Sequence, residues 1–150
     1  MISWITKKVA IGEYNDAVNE ELLLTERVDC ILNMRGGQNE SSIVEQTIEM
    51  SLGINYFHLK VGSHQGIDPI KIELRTAIYM LGLLTKRYRR ILVHCTSGID
   101  RAPFVVAYWL ASQSCKEMQK TGKGCRKCIE GTYHIIRQKR SQIMEHMEWI

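Results

Sequence analysis

Apolar residues along this chain fall into two alternating patterns. Short runs bounded by polar or turn-forming residues, at Val9–Ile11, Asp29–Asn33, Asn55–Leu59 and Ile91–His94, have the length and the Val, Ile and Leu content of buried strands. Between and after them lie longer stretches with apolar positions three and four apart. These predict helices near Ala17–Leu24, Ser42–Leu52, Pro69–Lys86, Ala102–Ser112, Cys125–Arg137 and Gln142–Trp149. Gly53 supplies a stop for the second helix. Asp68-Pro69 supplies a start for the third, a capping carboxylate followed by the proline tolerated in a first turn. Strands alternating with helices imply an α/β fold with a mostly parallel central sheet flanked by helices. Ligands of such sheets bind beyond the carboxyl ends of the strands, which is where Cys95 falls.

The turn from Ile91–His94 into the following helix reads Cys95-Thr96-Ser97-Gly98-Ile99-Asp100-Arg101-Ala102-Pro103. Backbone N–H groups gather at such a helix N-terminus, where partial positive charge accumulates and an oxyanion is favoured. Gly98 lets the turn close around a phosphate. The same field favours the thiolate form of a cysteine placed there, and a thiolate attacks phosphorus. Arg101 offers a planar fork of donors matched to two phosphate oxygens. The expected phosphate-binding residues are Thr96, Ser97, Gly98, Ile99, Asp100 and Arg101, around Cys95 as nucleophile.

The pattern His94, Cys95, Gly98, Arg101 resembles the signature loop of the cysteine-dependent protein tyrosine phosphatase superfamily. The order of Ile5-Thr6, Val9-Ala10-Ile11-Gly12, Asp16-Ala17-Val18-Asn19, Glu21-Leu22-Leu23 and Cys30-Ile31-Leu32-Asn33 resembles the compact dual-specificity branch, as does the basic segment Arg137–Gln142. Locally, Ala102-Pro103 and the Tyr108-Trp109 run look most like the plant glucan phosphatases of that branch. The resemblance implies a protein tyrosine phosphatase-like fold and a phosphomonoester hydrolase working through a phosphocysteine. It implies that His94 orients the loop and helps to set the thiolate. No cofactor and no metal are expected.

Composition adds limits. The 150 residues carry 45% apolar content, enough for one core, and are read as a single catalytic domain over residues 1–150. No long apolar span, signal-like start or low-complexity stretch appears, so the expectation is a cytoplasmic protein with no membrane partner. The net charge is +4, and basic residues cluster at Arg87, Arg89 and Arg90, at Lys120, Lys123, Arg126 and Lys127, and at Arg137, Lys139 and Arg140. Such runs read first as solvated faces and second as contacts for an anionic substrate. Five cysteines do not make a disulfide framework in a reducing compartment. Cys30 reads as core. Cys125-x-x-Cys128 has the spacing of half a zinc site that Cys115 and His134 would complete, but it also begins an amphipathic helix, and packing is the preferred reading.

A proton for the leaving oxygen must come from a general acid. The dual-specificity branch places an Asp after a strand matched here by Phe57-His58-Leu59-Lys60-Val61, but that position falls near Ser63. Three residues are candidates. Asp100 ranks first, since Cys-x-x-Gly-x-Asp-Arg resembles myotubularin-type and certain bacterial phosphatases, and a carboxyl beside a bound dianion favours its protonated form. Asp68 ranks second, with helix capping as its plainer role, and His64 third. Ala102 replaces the hydroxyl that many members carry after the arginine, so breakdown of the phosphocysteine is expected to be slow.

The expected substrate is a phosphorylated protein, of tyrosine or dual specificity. Other phosphomonoesters stand as alternatives: a glucan, for which Trp4, Trp109 and Trp149 are available aromatics; a phosphoinositide, disfavoured by the uncharged Thr96, Ser97 and Ile99; and an RNA 5′-phosphate, supported only by the basic clusters. Nucleic acid is therefore possible but not favoured. A catalytically weak phosphate-binding module is the reading from a different class.

Overall fold

The computed structural model describes residues 1–36, 40–62 and 66–150, and the side chains of residues 40 and 41 are also left undescribed. Five strands form one sheet: β1 (Ser3–Trp4), β2 (Val9–Gly12), β3 (Cys30–Asn33), β4 (Asn55–His58) and β5 (Ile91–His94). Their order is β1-β2-β5-β3-β4, with β1 antiparallel to β2 and every other pairing parallel. The central strand is therefore β5. Register aligns Gly12, His94, Asn33 and His58 in one row across the carboxyl edge. Whatever follows β5 emerges between the exits of β2 and β3.

Side-chain alternation divides the core in two. Val9 and Ile11, Cys30 and Leu32, and Ile91 and Val93 face a large cluster, whereas Ala10, Ile31 and Leu92 face a smaller one. Both faces being covered explains why these strands read as continuous apolar runs. The large cluster is built with α4 (Ile67–Arg87), α5 (Arg101–Ser114) and α7 (Arg126–Lys139). Ala102 through Trp109 of α5 are all buried, so this helix is apolar nearly all round and forms the spine of that layer. The smaller cluster packs Ala17 of α1 (Tyr14–Ala17) and Leu23 of α2 (Glu20–Thr25) against the sheet. The remaining helices are α3 (Glu40–Ser51) and α6 (Lys116–Thr121). Among the described residues no helix is long and apolar enough to cross a membrane.

Several boundaries differ from the sequence expectation. The helix expected over Ala17–Leu24 is two helices, because the Asn19 side chain accepts from the Leu22 N–H and starts α2 afresh. Gly66, not Asp68, is the cap of α4, and Asp68 lies exposed inside the first turn. The helix expected over Gln142–Trp149 is absent: Arg140 leaves α7 in extended backbone, and only a 3-10 turn, Met147–Trp149, follows. The amphipathic spacing there is overridden by bonds to the β5–α5 loop. Arg90 is not part of a solvated basic face, since its guanidinium stacks 3.6 Å from the centre of the Trp4 ring and donates to the Glu26 carbonyl at 2.9 Å. Asp29 accepts from the Arg89 and Arg90 N–H groups at 3.0 and 2.9 Å and so fixes where β5 begins.

Cys30 is fully buried core, as expected, and burial pushes its thiol up to about 12. Cys115 and Cys128, expected to be reduced, are joined by a disulfide. Ile129, Thr132, Tyr133 and Ile136 form the buried face of α7.

Candidate active site

The loop from Cys95 to Asp100 turns the central strand into α5, and its carbonyls are engaged one after another from outside. The Cys95 carbonyl accepts from His94 Nδ1–H at 3.0 Å and the Thr96 carbonyl from the Tyr14 N–H at 3.1 Å. Arg140 donates through Nη2 to the Ser97 carbonyl at 3.4 Å and through Nε to the Gly98 carbonyl at 3.0 Å. The Ile99 carbonyl accepts from the Met144 N–H at 3.0 Å. In a trans peptide the N–H points opposite to the preceding carbonyl. The N–H groups of Thr96, Ser97, Gly98, Ile99 and Asp100 therefore all turn away from those partners. Among the described residues none of the five has a hydrogen-bond acceptor. Five consecutive unpaired donors are rare in folded chains, and here they form an anion cradle at the start of a 14-residue helix.

Gly98 is required by this construction. Its φ is +70°, and a Cβ there would lie 2.6 Å from the Gly12 carbonyl oxygen and 2.5 Å from Arg140 Nη2. Cys95 is a free, buried thiol at the head of the loop. Arg101, in the first turn of α5, donates through Nη1 to the carbonyls of Met34 and Val61, just beyond β3 and β4. Its Nη2 donates to Thr96 Oγ1 at 3.3 Å. The guanidinium is thus fixed beside the loop by two strand exits.

Behind the loop lies a buried polar group, of which sequence reading foresaw His94 but not its partners. His94 and Glu45 are both fully buried, with Nε2 and Oε2 2.8 Å apart. Asn33 Nδ2 donates to the Tyr56 hydroxyl oxygen at 2.9 Å and reaches Glu45 Oε1 at 3.5 Å. Glu49 is buried one helical turn on. Burial, and then the negative charge of Glu45, push its carboxyl up to about 10, so Glu49 is protonated at neutral pH while Glu45 faces His94. His94 is therefore held at both ring nitrogens, which fixes the peptide that leads into Cys95. The i, i+4 spacing of Glu45 and Glu49 is visible in the sequence, but their proximity to His94 depends on tertiary packing.

Three solved structures share this architecture over 99% of the chain. The Yvh1 phosphatase domain from Chaetomium thermophilum matches with TM-score 0.71 at 15% identity over 90% of its own length. Cydia pomonella PTP-2 phosphatase matches with TM-score 0.69 at 14% identity over 84% of its length. OH1 from the Orf virus, described as a tyrosine phosphatase with triple substrate specificity, matches with TM-score 0.68 at 17% identity over 81%. The chain has the fold of the dual-specificity protein tyrosine phosphatases. No protein-family model matches its sequence, and no curated protein does.

On this phosphatase fold the candidate acids are placed unequally. Asp100 caps α5 beside the cradle, and its Oδ1 accepts from His146 Nε2–H at 2.8 Å. His146 also faces Glu148 through Nδ1 at 2.6 Å and stacks on Trp149 with centroids 3.8 Å apart. Burial alone would lower the His146 pKa, but the bonds to Asp100 and Glu148 together outweigh it and raise it. Asp68 makes no hydrogen bond to the loop among the described residues. His64 and Ser63 lie outside the described residues. Ala102 is fully buried and carries no hydroxyl; the loop itself carries those of Thr96 and Ser97. The basic segment at Arg137–Gln142 contributes Arg140 as the brace of the loop, and Arg140 Nη1 also ties the loop to Met1 and Ser3 at 2.7 and 3.1 Å. A cavity of about 550 Å³ between α4 and α5, lined by Tyr79, Leu83 and Trp109, contains no loop residue.

Proposed function

We propose that the protein hydrolyses phosphomonoesters through a phosphocysteine intermediate, with phosphorylated proteins of tyrosine or dual specificity as substrates. The observation that carries this reading is the run of five unpaired loop amides next to a buried cysteine and a fixed arginine. A phosphate dianion bound by the amides of Thr96 to Asp100 and by Arg101 presents its phosphorus to Cys95. The Cys95 thiolate forms the S–P bond as the ester P–O bond breaks. Charge on the equatorial oxygens is met by donors already in position, which is where such sites gain most of their rate.

The leaving oxygen takes a proton from Asp100, which exchanges protons with His146, the group bonded to it. Asp68 is the second candidate. Water then breaks the S–P bond, releasing inorganic phosphate and restoring the thiolate. Ala102 offers no hydroxyl for this second step, so dephosphorylation of the enzyme is the slower half. The resemblance of the fold to named phosphatases supports the class of reaction, and the OH1 description supports a range of substrates. Cytoplasmic location remains part of the proposal.

Hydrolysis of an activated aryl phosphate by the wild type and by Cys95→Ser tests this reading. Cysteine-dependent turnover is expected, and Asp100→Asn is expected to lose activity on an alkyl phosphate more than on the aryl ester, whose leaving group needs no proton. Tight phosphate-ester binding with no turnover would support the second reading, a phosphate-reading module, for which Ala102 is the favouring observation.

A further inference from the structure

The far end of α5 carries a second group of sulfur atoms that the proposed reaction does not use. Cys115 ends α5 and opens α6, Cys125 caps α7, and Cys128 lies in the first turn of α7. Their three Sγ atoms lie within 4.8 Å of one another. Tetrahedral zinc with Zn–S bonds of about 2.3 Å sets its sulfurs roughly 3.8 Å apart, so modest side-chain rotation would close the cluster around an ion. Cys125 and Cys128 have the two-residue spacing of a zinc half-site, and the third thiol arrives from another helix, which no local motif reveals. Cys115 is buried, Cys125 and Cys128 are half-buried, and Cys125 is a free thiol.

The surroundings suit a charged centre. Three thiolates around a divalent cation leave one negative charge. Lys116, Lys120, Lys123, Arg126 and Lys127 are exposed around the cluster, opposed by Glu117 and by Glu130, which already pairs with Arg126 at 3.2 Å. The start of α7 adds its own positive field. His134, the other residue that would complete the half-site by sequence, lies on the exposed face of α7 near Gln138 and does not join the cluster.

We propose that the reduced form of this cluster binds one thiophilic divalent cation, of the zinc class, through Cys115, Cys125 and Cys128, with the fourth position open to solvent. Oxidised, Cys115 and Cys128 are the disulfide and the cation is excluded. A dithiol reductant transfers two electrons to that disulfide, becoming a disulfide itself and leaving three protein thiols. Binding the cation then releases three protons. The site therefore exchanges a covalent staple between α5 and α7 for a metal staple.

Cobalt(II) titration of the full chain under a non-chelating reductant tests this. The expected result is one cobalt per chain with thiolate charge-transfer and tetrahedral absorption bands, displaced by zinc and retained in Cys95→Ser. Cys125→Ser should weaken binding at least about 100-fold, the upper end of what loss of a mere outer-shell partner costs. Because Cys125 is outside the disulfide, circular dichroism of the oxidised variant separates loss of a ligand from loss of fold. No cobalt uptake by a chain with free thiols would overturn the proposal. So would equal affinity in Cys125→Ser, or re-formation of the disulfide with cobalt left in solution.

Discussion

The two ends of α5 both carry cysteine chemistry, yet they are built from opposite materials. At the N-terminal end the loop directs its own backbone, with five carbonyls tied outward and five N–H groups that have no acceptor among the described residues around a single buried thiol. At the C-terminal end the backbone is ordinary helix cap, and three side-chain sulfurs come together, one from the junction of α5 and α6 and two from the start of α7. A backbone cradle suits an anion that must arrive and leave. Converging thiols suit a partner that stays. On the proposed function the first end is expected to govern turnover and the second stability.

Substitutions at each end should therefore separate the two properties. The largest effect expected is for Arg101→Lys, which keeps the charge but loses the planar fork: kcat on an aryl phosphate should fall by on the order of 10²–10³ with little change in Tm. A comparable fall in Tm would merge the two ends into one structural unit. Arg140→Ala releases the Ser97 and Gly98 carbonyls without touching substrate, and a loop misplaced by about 1 Å should cost up to roughly 10² in kcat/KM. Steady-state kinetics with an unchanged circular dichroism spectrum checks it. At the other end, Cys128→Ser in the oxidised chain should cost about 2–3 kcal/mol in urea unfolding, since it opens a loop with a sequence separation of 13, and should leave kcat as it was.

The last effect is one of pH. Glu49 holds its proton in the fold up to about 10 but releases it near 4.5 when unfolded, so folding takes up a proton between these values. The stability contribution is complete below about 4.5 and declines as pH rises toward 10. Urea midpoints of the wild type should fall across that window, and Glu49→Gln should flatten the fall. An unchanged slope in Glu49→Gln would mean that other groups set the pH response.

Much of the first end was legible in the sequence. An apolar strand of four residues, the signature loop and an apolar helix are contiguous, so local pattern sufficed to place Cys95 and Arg101. Its supports were not legible. Arg140 meets Gly98 across 42 positions and Glu45 meets His94 across 49, distances at which spacing carries no information. The Gln142–Trp149 segment has helical spacing, yet its Met144 N–H bonds to Ile99 and its His146 to Asp100, and those contacts displace the helix. The β1 strand is only two residues long, too short for any alternation. At the second end two of the three sulfurs were visible as Cys-x-x-Cys and Cys115 was a candidate to complete them, but only helix packing brings the three together and leaves His134 outside.

Rapid quench of the wild type with an aryl phosphate, followed by mass spectrometry of the Cys95 peptide, tests the central claim most directly. On the proposed mechanism Ala102 offers no hydroxyl to the second half-reaction, and the expected result is a phosphate adduct on Cys95 that accumulates within the first turnover and is absent from Cys95→Ser. Phosphate release at the full wild-type rate with no adduct on Cys95, or the same release from Cys95→Ser, would contradict a phosphocysteine enzyme.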